Sequence, residues 1–186
     1  SVYFQYLRDK DPTPLKPIFH HNRIDILSMV TLAVKLAKAL ENPFCLDNCS
    51  DEDYYCLGRI FADMGDIDKA IDCYTKALDV PGVKEKAYVQ LSLMYKRLGR
   101  LTDAEELWLE MAEQGMEYSF ALVELAKYYE HKIKDYDRAR HFTQRALDFE
   151  YKKQGFLTDI SNSDLHDLYR RLERIERKRR KGENVS

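Results

Sequence analysis

The chain has 186 residues and carries 30 Lys and Arg against 32 Asp and Glu, a formal net charge of -2. That length holds one or two domains whose cores need no disulfide or metal to support them. With 45% hydrophobic residues, 33% charged residues and a mean hydropathy of -0.56, the composition is globular and excludes a helical membrane span. Only 7 Gly and 5 Pro punctuate it, which argues for long helices and against a many-turned β-sandwich.

The small net charge conceals segregation. Residues 1–50 carry 6 basic and 5 acidic groups, residues 51–150 carry 14 and 21, and residues 151–186 carry 10 and 6. An acidic middle does not call for nucleic acid as its partner, because a phosphate-binding surface needs excess Lys and Arg. The four Cys, with no signal-like apolar N-terminus, read as reduced thiols in a cytoplasmic protein. A chain that opens on Ser1 and not Met reads as a piece of something longer.

Residues 12–17, Pro-Thr-Pro-Leu-Lys-Pro, predict an irregular extended stretch, since three Pro exclude a helix interior. A helix is predicted from about His20 to Glu41. On it Asp25, Ser28, Lys35 and Lys38 share one stripe and nearly all other residues are apolar. Such a helix needs partners: either it packs on the first helix of the next segment or it has lost its native companion, which also makes a homodimer through this helix an expectation. From spacing alone, His20 and His21 are a polar flank and Asp25 a first-turn partner of the helix dipole.

Three features here, Tyr3-Phe4-x-Tyr6-Leu7, Asp11-x3-Leu15 and His21-Asn22-x2-Asp25-Ile26-Leu27-Ser28, resemble the C-terminal end of a ribonuclease H-like, DEDD-type 3'-5' exonuclease domain. The likeness is to bacterial exonucleases in which tetratricopeptide repeats follow the nuclease directly. The resemblance implies that Asp25 is a metal-binding carboxylate for Mg or Mn in a two-metal phosphodiester hydrolysis. His21 holds the place four residues before it, where such relatives often carry Tyr, and His20 the place five before, so either can be the group that orients water. The remaining three carboxylates of such a site are expected upstream of Ser1. Residues 1–45 are therefore expected to be a domain remnant, catalytically inactive and without a cofactor of its own, and nucleic acid a partner of the parent domain only.

Residues 51–150 repeat with a period of 34. Leu57-Gly58-x2-Phe61 with Ala70-x3-Tyr74-x2-Ala77 becomes Leu91-Ser92-x2-Tyr95 with Ala104-x3-Trp108-x2-Met111. The next step gives Leu125-Ala126-x2-Tyr129 and, one residue late, Ala139-x3-Thr143-x2-Ala146. The extra residue is expected in the turn around Lys132 to Tyr136. Small residues at 58, 92 and 126 predict close helix–helix approach, and Gly65 and Gly99 predict left-handed helix ends. This pattern resembles the tetratricopeptide repeat, a 34-residue helix-turn-helix. The repeats are expected at 51–84, 85–118 and 119–153. Thr143 stands where an aromatic is expected and the third turn lacks Gly, which leaves the last hairpin helix the most weakly specified.

In that family the first helices of successive repeats line a groove for peptides or partner proteins. The resemblance places Tyr55 and Arg59 there from the first repeat, Lys86, Val89, Leu93, Lys96 and Arg97 from the second, and Phe120, Val123 and Lys127 from the third. The groove so drawn is basic and aromatic, which favours a partly acidic extended peptide. Tyr55 and Arg59 do not match the Lys and Asn of the chaperone-tail clamp. The same residues are also what a merely soluble surface would carry, since a scaffold does not name a function.

Residues 154–186 predict a capping helix with a basic tail. Asn162 or Ser163 can cap it, and Leu165, Leu168, Leu172 and Ile175 form one apolar stripe. Arg177-Lys178-Arg179-Arg180-Lys181 reads first as a solvated, frayed tail and second as an electrostatic contact. Cys45, Cys49, Cys56 and Cys73 match no zinc spacing, and His131, His141 and His166 read as solvated. The expectation is thus an all-α solenoid of three repeats between an N-terminal helix and a capping helix. It would serve as a protein interaction module, either as the C-terminal arm of an exonuclease or as a free-standing adaptor with no nuclease link.

Overall fold

A computed structural model describes residues 2–44, 51–115, 119–154 and 162–183, and within them every regular element is helical. The N-terminal part differs from expectation in its local structure. Val2–Asp9 forms a helix (α1), and the Pro-rich stretch is not extended: Thr13–Leu15 is a short 3-10 turn running straight into α2, Lys16–Glu41. The prolines permit this because Pro14 and Pro17 fall in the first turns of their elements, where an N–H would have no partner anyway.

The three hairpins fall at the expected repeats. They are α3 (Asp51–Met64) with α4 (Ile67–Ala77), α5 (Lys84–Arg97) with α6 (Leu101–Glu113), and α7 (Ser119–Tyr128) with α8 (Tyr136–Gln154). Each packs internally and on the next, and α9 (Asn162–Glu183) packs on α8. The small-residue rule is visible at Gly58, where a Cβ would lie 2.8 Å from the Tyr74 ring. The periodic aromatics Phe61, Tyr95 and Tyr129 each carry a cation over the ring, from Lys69, Arg100 and Arg138 at 5.2, 4.4 and 5.3 Å from the centroid. Asp66 and Asp135 cap α4 and α8 by accepting the N–H groups of Lys69 and Arg138.

The last hairpin helix, weakest in the sequence, is well held. Phe142 takes the aromatic role one place early and stacks on Tyr129 at 5.6 Å, while the Thr143 hydroxyl donates to the Ala139 carbonyl at 2.7 Å. The extra residue of the third repeat is absorbed before the turn, in a π-helical segment, Tyr129–Ile133. Lys134 then takes the left-handed conformation, φ 61°, that Gly65 and Gly99 hold at φ 80° and 76°.

The capping stripe packs as drawn: Leu165, Leu168 and Ile175 are buried and Leu172 lies against the same core. The side chains of Asn162 and Ser163, and residues Cys45 and Cys49, lie outside those described. Cys73 is buried in the first hairpin and Cys56 is exposed. No helix among the described residues is long and apolar enough to cross a membrane.

Helix α2 does not pack along the first repeat. Its residues Phe19, Ile26, Met29, Val30 and Leu32 are 57 to 70% exposed, and Ala39 is its only buried residue. Contact with the array is confined to its end, where Ala39 and Leu40 join the first hairpin's core and Phe44 stacks on Tyr54.

The strain at Lys134 is removable. A side chain in the left-handed region costs about 1 kcal/mol, which glycine avoids. Lys134→Gly should raise stability by about 0.5–1 kcal/mol, read as a thermal midpoint about 2 °C higher; an unchanged or lowered midpoint would show that the turn is not strained.

Candidate functional site

Residues of α5, α6, α7, the π-helical segment and α9 line one recess. At its centre Glu124 of α7 has its side chain only 6% exposed, yet it is charged on both flanks. Lys96 Nζ lies 2.5 Å from one carboxylate oxygen and Lys127 Nζ lies 2.6 Å from the other. Burial pushes the Glu124 carboxyl up, but hydrogen bonds from Lys127 and Lys96 and their charges outweigh it and hold the group below its ordinary value. The two ammoniums stand at the mouth of a cavity of about 330 Å³ lined also by Leu101, Trp108, Tyr128, His131, Lys132 and Arg171.

Next to this cavity the π-helical segment turns Glu130 toward α9. The carboxylate is fully buried and receives Arg174 at 2.7 and 2.9 Å, Lys178 at 2.8 Å and Arg171 at 3.1 Å. Burial raises this carboxyl too, and the hydrogen bonds from Arg174 and Lys178, with the charges of Arg174 and His131, overturn that and set it at about 2. His131 lies 3.4 Å from the same group and is pushed down, first by burial and then by the charges of Lys178, Arg174 and Arg171, against the pull of Glu130. The basic run is therefore not a frayed, solvated tail: it is helical, with Lys178 on Glu130 and Arg179 3.3 Å from Asp137.

The residues drawn into the groove from sequence divide into groups. Lys96 and Lys127 meet at Glu124. Tyr55, Lys86 and Val89 meet at a second, smaller notch of about 140 Å³ between α3 and α5, together with Glu85 and Gln90. Leu93 is half-buried on the α5 face between the two, while Phe120 and Val123 pack largely against the core. Arg59 and Arg97 are exposed and line neither cavity. Sequence reasoning missed Glu124, Trp108, Lys132 and Arg171. Glu124 lies four residues after Phe120 and three before Lys127, so it was on the drawn stripe and was passed over as an acid. Arg171, three after Leu168 and four before Ile175, was passed over as surface charge.

His20, His21 and Asp25 lie on the exposed face of α2, with His21 Nε2 3.3 Å from the Asp25 carboxylate. Among the described residues no group of three His, Cys, Asp or Glu is close enough to hold a metal ion. One carboxylate and two imidazoles do not make a two-metal site, so this chain alone does not fit the ions that the nuclease resemblance implies.

Residues 52–80 match the family profile described as tetratricopeptide repeat. The array is of the tetratricopeptide type. Residues 1–37 match the profile described as RNase_H superfamily. The crystal structure of MamA is similar at a TM-score of 0.54 and 28% identity, over 63% of this chain and 68% of that one. The crystal structure of BtubC (BKLC) from P. vanneervenii shares the fold at a TM-score of 0.53 and 20% identity, over 96% of this chain and 80% of that one. In sequence, the chain is 28% identical over 181 residues to the uncharacterized protein YprB of Bacillus subtilis (strain 168), an alignment covering 95% of this chain and 42% of the relative. The chain thus spans less than half the length of that relative.

The Glu130 cluster sets a pH dependence for the cap. A carboxyl held at about 2 against an ordinary 4.5 contributes stability that is complete above about pH 4.5 and is lost as pH falls toward 2. Glu130→Gln leaves three cations facing a neutral group, at a cost of about 3 kcal/mol. Hydrogen exchange should show α9 losing protection first, and the acid-side slope of stability should flatten in the variant. Equal protection of α9 in both proteins would refute the assignment.

Proposed function

We propose that the chain is a protein interaction module whose concave face takes an extended peptide, and that residues 1–45 are the closing edge of a ribonuclease H-like 3'-5' exonuclease domain in a longer protein. The observation that carries the first part is the Glu124 site. A buried carboxylate holds two lysines over an apolar cavity, on the same helical face as the Tyr55 notch and Leu93. Tetratricopeptide scaffolds serve protein–protein interaction, and two recesses on one face suit an extended segment with side chains in both. Reversing one exposed charge in each recess, Lys86→Glu with Lys132→Glu, should abolish capture of partners by the longer protein while its circular dichroism is unchanged. Retention of every partner would refute the groove.

The second part is supported by α2. A row of large apolar side chains left exposed along 26 residues is the kind of surface a domain interior covers. The profile match at residues 1–37 and the greater length of the aligned relative agree with that reading. In such a domain Asp25 is the one metal-ligating carboxylate this chain contributes, with His21 or His20 beside it to orient water, and Mg or Mn is held only together with carboxylates from the rest of the protein. The longer protein should degrade nucleic acid from the 3' end with Mg²⁺ or Mn²⁺, Asp25→Asn should reduce the rate at least a hundredfold, and residues 1–186 alone should be inactive. Activity in the isolated chain, or a wild-type rate in the variant, would overturn this. The competing reading, a free-standing adaptor with α2 buried against a second copy, requires residues 1–186 by themselves to form a dimer through α2.

A further inference from the structure

The cavity at Glu124 has more positive charge than its own carboxylate uses. Each lysine ammonium has three donors and gives one to Glu124. Lys132 adds a further cation to the lining, and the neighbouring acid, Glu130, is already saturated by three cations of α9. The floor is apolar, made by Leu101, Trp108 and Tyr128. Trp108 is 1% exposed, and its indole N–H is a buried donor without an acceptor among the described residues. A buried donor left unpaired is costly, and here it belongs to a side chain that lines the recess.

We propose that this cavity receives the side-chain carboxylate of an Asp or Glu in the partner peptide. The ligand's methylene stem lies on the apolar floor and its charge is held by Lys96, Lys127 and Lys132. Charge complementarity selects the ligand: an anion with a short apolar stem satisfies both the unused ammonium donors and the floor. The site presupposes a peptide-binding groove and names the residue that groove prefers. The Tyr55 notch sets a second requirement. From Lys86 and Val89 to Lys96 along α5 is about 10–15 Å, a span of three or four residues in an extended peptide. The same peptide therefore carries a bulky apolar residue three or four positions from its acid.

The chain has a single tryptophan, so emission from Trp108 reports on the cavity directly. The full chain is titrated with a synthetic library of nine-residue peptides, each made as C-terminal amide and as free acid. The expected binders carry Asp or Glu three or four residues from Leu, Phe, Tyr or Trp, in either terminal form. Changing that acid to Asn or Gln should weaken binding at least tenfold. Lys127→Met and Lys132→Glu should do the same for the acidic peptides and leave the amide-substituted ones unaffected. Binders that depend on Tyr55 and Leu93 but show no acidic preference would leave the groove standing and sink the carboxylate site. An absence of groove-dependent binders would sink both. Binding that demands a free C-terminus, or a single-stranded oligonucleotide bound through Lys127 and Lys132 where no peptide binds, would overturn the assignment of an acidic side chain.

Discussion

A helical array of this kind must be closed at its end, and here the closure depends on one buried carboxylate. Each hairpin buries its apolar face only against the next, so the last would leave apolar surface of α8 uncovered if α9 did not pack on it. Apolar contacts from Leu165, Leu168, Leu172 and Ile175 bring α9 into place, but they are spread along the helix and do not by themselves choose its register. Glu130 supplies the registration. Arg171, Arg174 and Lys178 lie three and four residues apart along α9 and converge on a single group, which only one longitudinal position of the helix satisfies. The same placement puts Arg171 in the wall of the neighbouring cavity, so the docking of the cap and the shape of the groove are one arrangement.

The groove in turn reuses this logic at smaller scale. Glu124 and Glu130 lie six residues apart on one helical segment and face different neighbours, each gathering cations from another element, Lys96 from α5 in the first case and the α9 residues in the second. The difference is in the balance. Glu130 takes four hydrogen bonds from three cations, whereas Glu124 takes one from each of two lysines that also line a cavity and keep unused donors. A cluster closed on itself fixes the scaffold, and one with unused donors at the mouth of a cavity can take a ligand.

Much of this was legible in the sequence because it is periodic. The small residue, the aromatic three positions on and the matching alanine recur every 34 residues, and a repeat constrains packing more tightly than any local propensity. The capping stripe was legible for the same reason. What periodicity could not show was which charged residues are buried. Glu124, Glu130 and Arg171 carry no sequence mark that separates them from solvated neighbours, since burial of a charge depends on partners from other elements. The prolines near the start were misread because Pro forbids a helix interior but suits a first turn, and composition does not tell the two apart. The exposed α2 was half legible: its excess of apolar residues announced a missing partner and left open whether the array supplied it.

The π-helical segment settles a question of rotational phase. A residue inserted into an α-helix turns everything after it by about 100°, since 3.6 residues complete a turn. Carried into α8, such a rotation would swing Ala139, Phe142 and Ala146 off the faces where they are now buried. Tyr129–Ile133 absorbs the extra residue within one widened turn, so the helices on both sides keep their phase. The third repeat can therefore be one residue longer than its siblings without any change in the spacing of the array, and the widened turn is where Glu130 stands. The widened turn thus lets one repeat depart from the 34-residue period without disturbing its neighbours, so an insertion is tolerated here that inside α8 would displace buried residues.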